Sequence, residues 1–385
     1  MSSPLRLPWG TSARSSVGLE WELALVDADS GDLRQTAATV LDVLAPDGDN
    51  PRIKAEFMRN TVELVSGVAR TVGEAGADLA QSMDDVRAIT DPQRVELMCA
   101  GTHPFASWTA QKVTQKDRYT RIIDRTQYWG RQLLIYGLHV HVGVEDRAKV
   151  LALLRGMLPY VAHLQALSAS SPYWGGIDTG YASNRSLLFQ QIPTAGLPYQ
   201  FETWEELEAF AGDMIHVGVA DYFNEIHWDI RPSPGYGTLE VRVCDGPTNL
   251  AELLSIAALV HCLVEHLSTQ LDQGRDLPNL PQWFVRENKW RAARYGMDAI
   301  IILDAEGNEE LVTDAVGKLL VELEPVAERL GCADELAGVW EIVRGGASYQ
   351  RQRAVAAANG GDLEAVVHSL VREMRVGHPL PLPPR

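Results

Sequence analysis

Acid, imidazole and guanidinium groups recur at every second position in four short stretches of this chain, with apolar residues between them. The stretches are Leu19-Glu20-Trp21-Glu22-Leu23, Leu138-His139-Val140-His141-Val142, Ile226-His227-Trp228-Asp229-Ile230-Arg231 and Leu239-Glu240-Val241-Arg242-Val243. Successive side chains of a strand point to opposite faces, so each stretch buries one apolar face and presents one charged face. Glu, His, Asp and Arg are the side chains that hold metal ions and phosphates. The pattern predicts an enzyme site on the face of an antiparallel sheet.

Glu63, in Thr61-Val62-Glu63-Leu64-Val65, adds an acid flanked by apolar residues, and Glu56 precedes it by seven positions. Two unit charges about 4 Å apart repel by roughly 4 kcal/mol at an effective dielectric of about 20. If Glu20, Glu22, Glu56, Glu63 and Glu240 converge, either their pKa values rise or cations fill the space. Mg²⁺ suits such hard oxygen ligands and keeps room for waters and substrate phosphates. His139 is read as a further ligand or a donor to an acyl oxygen, with His141 on the same face. Zinc is the second metal for two histidines, but no H-E-x-x-H occurs and the surplus of Glu favours the harder ion.

Arg231 and Arg242 share the polar faces of Asp229 and Glu240. A guanidinium beside a metal-bound carboxylate can grip a phosphate through two parallel hydrogen bonds, although a cross-strand ion pair explains the same spacing. Carboxylates, cations and arginines together describe a nucleoside triphosphate site without a glycine-rich loop.

The elements that must position these groups follow from the rest of the chain. Its 385 residues are 46% hydrophobic and 22% charged, with a net charge of −17. That composition is globular, and the acidity disfavours nucleic acid as a partner. No signal-peptide order opens the sequence, the apolar run Leu253–Val264 is too short to span a bilayer, and Cys99, Cys244, Cys262 and Cys332 are scattered. A cytoplasmic protein with no membrane association is expected. The expected organisation is a loose leader over 1–16, one catalytic domain over 17–378 and a Pro-rich tail over 379–385. Within the domain a sheet-bearing core occupies 17–270 and a helical part 281–378.

Strands are expected at 17–26, 53–57, 61–66, 95–99, 133–144, 225–231 and 238–244, and helices at 36–44, 71–88, 117–132, 147–167 (broken near Pro159), 204–219 and 249–271. The last helix, being apolar, suits the core or an interface in a homo-oligomer. Strands and helices intermix without a βαβ rhythm, and neither G-x-G-x-x-G nor G-x-x-x-x-G-K occurs. The predicted class is therefore α+β, with a mainly antiparallel sheet presenting the site and helices on its other face. The loop-rich stretch 168–198 is expected to form a lid or rim.

Several motifs resemble the bacterial glutamate–cysteine ligase type 2 family of carboxylate–amine ligases. They are Gly18-Leu19-Glu20-Trp21-Glu22, Gly101-Thr102-His103-Pro104-Phe105, Gly137-Leu138-His139-Val140-His141-Val142-Gly143, Ala166 to Tyr173, and Tyr181 to Arg185. The longest runs from His227-Trp228-Asp229-Ile230-Arg231-Pro232-Ser233-Pro234 through Thr238-Leu239-Glu240-Val241-Arg242-Val243, and Arg294-Tyr295-Gly296 follows. The resemblance covers about 17 to 300. It implies a glutamine-synthetase-like fold with a curved sheet, which phosphorylates a carboxylate with ATP and Mg²⁺ before an amine displaces the phosphate.

It further implies Glu20, Glu22, Glu56, Glu63, His139 and Glu240 as the set for two or three Mg²⁺ ions, with Mn²⁺ able to substitute. Arg242, Arg231 and Arg294 would serve ATP, with Arg242, Arg231 and His139 in catalytic roles. Arg185, Tyr181, Asn184 and His141 would meet the amino-acid substrates. Glu56 and Glu63 are matched by spacing alone, and Trp21 stands where an aliphatic residue is expected, on the buried face. Glutamate and cysteine follow from the family name and not from any pocket residue. Competing readings are an amide hydrolase or protein side-chain ligase on the same scaffold, a non-catalytic binding module, and a hydrolytic zinc enzyme.

Overall fold

The computed structural model describes residues 5–46, 48 and 50–382. The first four residues of the leader, Asp47 and Asp49 of the 45–51 loop, and 383–385 of the tail lie outside the described residues. Among the described residues eleven strands occur in chain order: β1 (Val17–Asp27), β2 (Ile53–Ala55), β3 (Thr61–Val65), β4 (Val95–Met98), β5 (Gly137–Gly143), β6 (Tyr173–Trp174), β7 (Ile177–Asp178), β8 (Ile230–Ser233), β9 (Thr238–Asp245), β10 (Ile300–Ile302) and β11 (Glu309–Leu311). Seven form one antiparallel sheet in the order β2-β3-β1-β5-β9-β8, with β4 pairing the far half of β1. The class is α+β, as the alternation predicts.

Period-two patterning determines which face is which. Leu19, Trp21 and Leu23 are fully buried under the sheet while Glu20 and Glu22 face the other way. Helices Val72–Thr90, Arg147–Met157 and Leu250–Asp272 cover the apolar side, where one continuous core runs from Leu7 to Met374. Helix Leu250–Asp272 starts on a side-chain cap, Asn249 accepting from the Glu252 N–H. It is 23 residues long, and it and the Arg147–Ser168 segment are long and apolar enough to cross a bilayer, contrary to the length argument from sequence. These two stretches are 72% and 83% buried within the protein, as core helices are.

Three local expectations need correction. The 225–231 stretch is not a strand throughout. Phe223–Glu225 forms a 3₁₀ turn, Trp228 makes an isolated bridge to Gly196, Asp229 lies in a bend, and β8 begins at Ile230. The reason is that the backbone N–H groups of His227 and Asp229 bond to Thr194 and Gly196 instead. The helix expected over 117–132 breaks at Gln127, whose φ is 47°, into Asp117–Thr126 and Tyr128–Arg131. Residues 5–16 form no regular element, yet they are tied down. Trp9 Nε1 donates to the Val144 carbonyl at 2.9 Å, and Arg14 is ion-paired with Glu265 and Asp272.

The helical C-terminal part is fastened to the sheet-bearing part by a buried guanidinium. Arg351 donates to Glu252 at 2.7 Å through two nitrogens and to Glu373 at 2.9 and 3.0 Å.

Candidate active site

The polar face of the sheet floors a cavity of about 1030 Å³, and Glu20, Glu22, Glu56, Glu63, His139, His141, Arg231, Glu240 and Arg242 all line it. Strand register does this. Glu22 stands opposite Glu63, which stands opposite Lys54; Glu20 stands opposite His139; and His141 stands opposite Glu240, which stands opposite Arg231. A bulge sets the last member. Between the Leu138–Cys244 and Val140–Val241 pairs, His139 faces both Arg242 and Val243. Bulges of this kind re-aim side chains beside functional sites, and here the Arg242 guanidinium comes within 3.4 Å of His139 Nδ1.

Charges are separated across this floor. At one end Glu240 accepts from Arg231 Nε at 2.6 Å and from Arg242, while Arg231 also donates to the Asn224 and Ile226 carbonyls. Burial pushes the Glu240 carboxyl up, but the two arginines outweigh it and hold it well down. In the middle, Glu20 lies 2.9 Å from His139 Nδ1 and 3.4 Å from His141 Nε2. Burial again pushes Glu20 up, and the two imidazoles hold it well below its ordinary value. His139 itself is held down to about 4, by burial and then by Arg242.

At the other end Glu22, Glu56 and Glu63 have no ion-pair partner among the described residues, although Arg185 and Arg242 lie near Glu22 and Arg118 near Glu56. Burial, then Glu56, pushes Glu22 up to about 8, although Glu22 accepts from the Gly137 N–H at 2.6 Å. Glu63 is raised well above its ordinary value by burial and by Glu20, Glu56 and Glu22, and Glu56 is raised by burial.

Three groups place ligand atoms within 4.8 Å of one another: Glu20, Glu63 and His139; Glu20, His141 and Glu240; and Glu22, Glu56 and Glu63. Uncompensated carboxylates with a single imidazole each in two of the groups match a hard divalent cation, Mg²⁺ or Mn²⁺. No cysteine thiol joins them, so the donor set does not favour zinc. The residues present therefore fit such ions.

Other candidates sit elsewhere. Arg185 is buried at the Gly137 end of the floor, its guanidinium over the Phe189 ring and 3.5 Å from the Arg242 carbonyl. A Cβ at Gly137 would lie 2.3 Å from Arg185 Nη2, which explains glycine at that position. Tyr181, Asn184 and Arg294 do not line the cavity. Arg294 bonds to the Gly180 carbonyl and stacks over Tyr181 and Tyr295.

The stretch 168–198 contributes Phe189 and Ile192 to the cavity wall and is otherwise packed away from it. Ser168 to Tyr173 are buried, and Asp245 accepts from the Ser170 N–H and the Ser171 and Ser183 hydroxyls at 3.0, 2.6 and 2.8 Å.

The roof instead comes from helix Asp117–Thr126 and the residue before it. Lys116, Arg118, Tyr119 and Ile122 line the cavity opposite the acids. Local sequence shows a basic helix but not which way it faces. Its three arginines, Arg118, Arg121 and Arg125, in a strongly acidic chain are the available signal. His227, thought to share the strand pattern, also lines the cavity, held well below its ordinary pKa by burial and the nearby arginines.

The model of the Glutamate-cysteine ligase family 2 (GCS2) matches residues 16–369. A protein of Arthrobacter sp. (strain FB24) named "Putative glutamate--cysteine ligase 2-1" is 56% identical over 97% of this chain and 99% of its own length. Among solved structures, a glutamate–cysteine ligase of Francisella tularensis in complex with AMP is 15% identical with a TM-score of 0.67, covering 96% of this chain and 89% of that one. The ligase PafA in its complex with the ubiquitin-like protein Pup is 12% identical with a TM-score of 0.51, over 92% of this chain and 71% of that one. These two share the fold. With its sheet, its acid-lined cavity and its sequence all pointing one way, this chain belongs to the glutamate–cysteine ligase family 2.

Proposed function

We propose that this chain is an ATP-dependent ligase that joins the side-chain carboxylate of glutamate to the amine of cysteine through an acyl phosphate. One observation carries the reading: Glu20 and Glu22 of β1, Glu63 of β3, His139 of β5, Glu240 of β9 and Glu56 just after β2 converge on one cavity floor, with Arg231 and Arg242 at one end and Lys116 and Arg118 also lining the cavity. The names of its relatives support the substrates.

Glu20, Glu22, Glu56, Glu63, Glu240 and His139 would hold Mg²⁺, which when bound would neutralise phosphate charge and let two anions approach. Arg242 and Arg231, kept in place by Glu240, stand where charge develops on a transferring phosphoryl group. Lys116 and Arg118 on the roof supply positive charge that no carboxylate of the floor neutralises by direct ion pairing. The donor carboxylate oxygen attacks the γ-phosphorus and ADP leaves. The amine then attacks the acyl carbon, loses a proton, and phosphate departs with that carboxylate oxygen. Roof and wall keep water from the intermediate.

Oxygen labelling tests this. With glutamate carrying ¹⁸O in its side-chain carboxylate, one label must appear in inorganic phosphate, and ADP release must need both amino acids. Phosphate free of label removes the acyl phosphate. Label transfer with another acid or amine, but not with glutamate and cysteine, removes the substrates and keeps the chemistry. ATP-independent amide hydrolysis would favour a hydrolase.

A further inference from the structure

Away from the cavity, nucleophilic and basic side chains meet in one buried cluster. Cys262 on helix Leu250–Asp272 and Cys332, just past the end of helix Val312–Leu330, place their sulfurs 3.6 Å apart. His261 is next to Cys262 in the chain, and its Nε2–H donates to the Ser15 carbonyl at 2.7 Å. That bond leaves Nδ1 with a free lone pair, and this buried nitrogen has no hydrogen-bond partner among the described residues. The imidazole faces the Cys332 thiol. The hydrogen bond from Cys262, and then His261, hold that thiol down to about 6 against burial, while Cys262 is pushed up.

The two thiols are therefore unequal: Cys332, which has the unpartnered imidazole nitrogen of His261 beside it, is the more acidic of the pair. Buried cysteines are inert where nothing stabilises the thiolate, and the other two show the contrast. Cys99 gives its thiol proton to the Glu22 carbonyl, and burial raises both Cys99 and Cys244. Cys332 also sits in a surface turn. Gly331 is left-handed with φ 66°, and Gly331, Ala333 and Asp334 are exposed. A small oxidant needs only slight opening of that turn, and the sulfurs can close to bonding distance by movement of the turn without disturbing the helix.

We propose that Cys332 and Cys262 form a redox modification site at which hydrogen peroxide converts the dithiol to a disulfide. The Cys332 thiolate attacks the nearer peroxide oxygen, the O–O bond breaks, and the departing oxygen takes a proton and leaves as water. Cys332 is then a sulfenic acid. The Cys262 sulfur attacks it, the S–O bond breaks, and a second water leaves with the Cys262 proton. The two thiols lose two electrons and the peroxide gains them. The bond ties the core helix to the turn that opens Ala333–Ala337. This site does not depend on the reaction in the cavity.

The test is peptide mapping of the folded full chain after hydrogen peroxide, without reductant. The expected product is a Cys262–Cys332 cross-linked peptide, lighter by about two mass units than the two thiols and reversed by dithiothreitol, with Cys99 and Cys244 still free. Cys262→Ser should leave Cys332 as a sulfenic acid that dimedone labels, and His261→Asn should slow bridge formation several-fold. The proposal is overturned if the folded wild-type chain forms no bridge at a peroxide concentration that fully oxidises free cysteine. Bridging of Cys99 or Cys244 at equal rate, or bridging seen only in denaturant, overturns it too.

Discussion

Glu22 and Glu63 stand directly opposite one another across β1 and β3, and both carboxyls are pushed up, Glu22 to about 8 and Glu63 well beyond its ordinary value. The cause is burial first and neighbouring carboxylates second. The site is thus destabilised when empty, the cost that a cation would relieve.

Glu63→Gln should accordingly stabilise the metal-free protein while destroying function. A group with a raised folded pKa opposes folding at any pH above its unfolded value. At pH 7 the burial and the neighbouring carboxylates that raise the Glu63 carboxyl therefore work against the folded state. The variant should melt a few degrees higher than wild type in EDTA. Wild type should gain about 3 °C at a hundredfold excess of Mg²⁺ over Kd, and the variant nothing. A lower metal-free Tm in the variant would show that Glu63 is not under repulsion.

The roof cations carry the second prediction. Arg118→Ala and Lys116→Ala should each raise KM for ATP or glutamate about tenfold, one lost charged contact, with Tm unchanged because helix Asp117–Thr126 buries only Tyr119. Steady-state kinetics at saturating co-substrate decide which substrate each meets. Unchanged constants for both would remove the roof from the site.

How much of this was readable follows from where each signal lies. The floor is written in period-two alternation within single strands, so Glu20, Glu22, Glu63, His139, Glu240 and Arg242 were legible before any pairing was known. The same alternation misled at His227-Trp228-Asp229, where the partner is the Thr194–Gly196 loop and no ladder forms. Two features depend on closure of the chain over long separations: the basic roof, whose arginines are visible locally but whose facing is not, and Arg351 reaching residues 99 and 22 positions away. Arg185 was found, but its place at the end of the floor follows from packing against Gly137 and Phe189.

Acid should weaken the fold through His103. Its Nε2–H donates to the Gly31 carbonyl at 2.9 Å, and its Nδ1 accepts from the Phe105 and Ala106 N–H groups at 3.3 and 3.0 Å. Burial holds this imidazole down to about 4. The unfolded chain then binds the extra proton between about pH 6.5 and 4, so stability is full above 6.5, falls through that window and levels below 4. The loss is on the order of 3 kcal/mol. Denaturant midpoints from pH 7 to 4 should fall more steeply in wild type than in His103→Asn, with the two curves converging in acid. Parallel curves would mean that His103 titrates normally.

Arg351 provides the last prediction. Its guanidinium, Glu252 and Glu373 are each about nineteen-twentieths buried, at 6%, 6% and 4% exposure of the side chain. Two carboxylates face one cation there, with the Thr248 hydroxyl donating to Glu373 at 2.5 Å. Arg351→Met leaves both acids buried and unpaired and should cost about 3–5 kcal/mol, roughly 4–6 °C in Tm for a chain of this length. Thr248 lies three residues after β9, which carries Glu240 and Arg242, yet the cluster is remote from the cavity. The activity of folded protein at low temperature should therefore change little. The triple variant Arg351→Met, Glu252→Leu, Glu373→Leu separates the causes. If the penalty is uncompensated charge, removing the acids restores most of the lost stability. If the triple variant melts as low as the single one, the value of the cluster lies in its hydrogen bonds and fit.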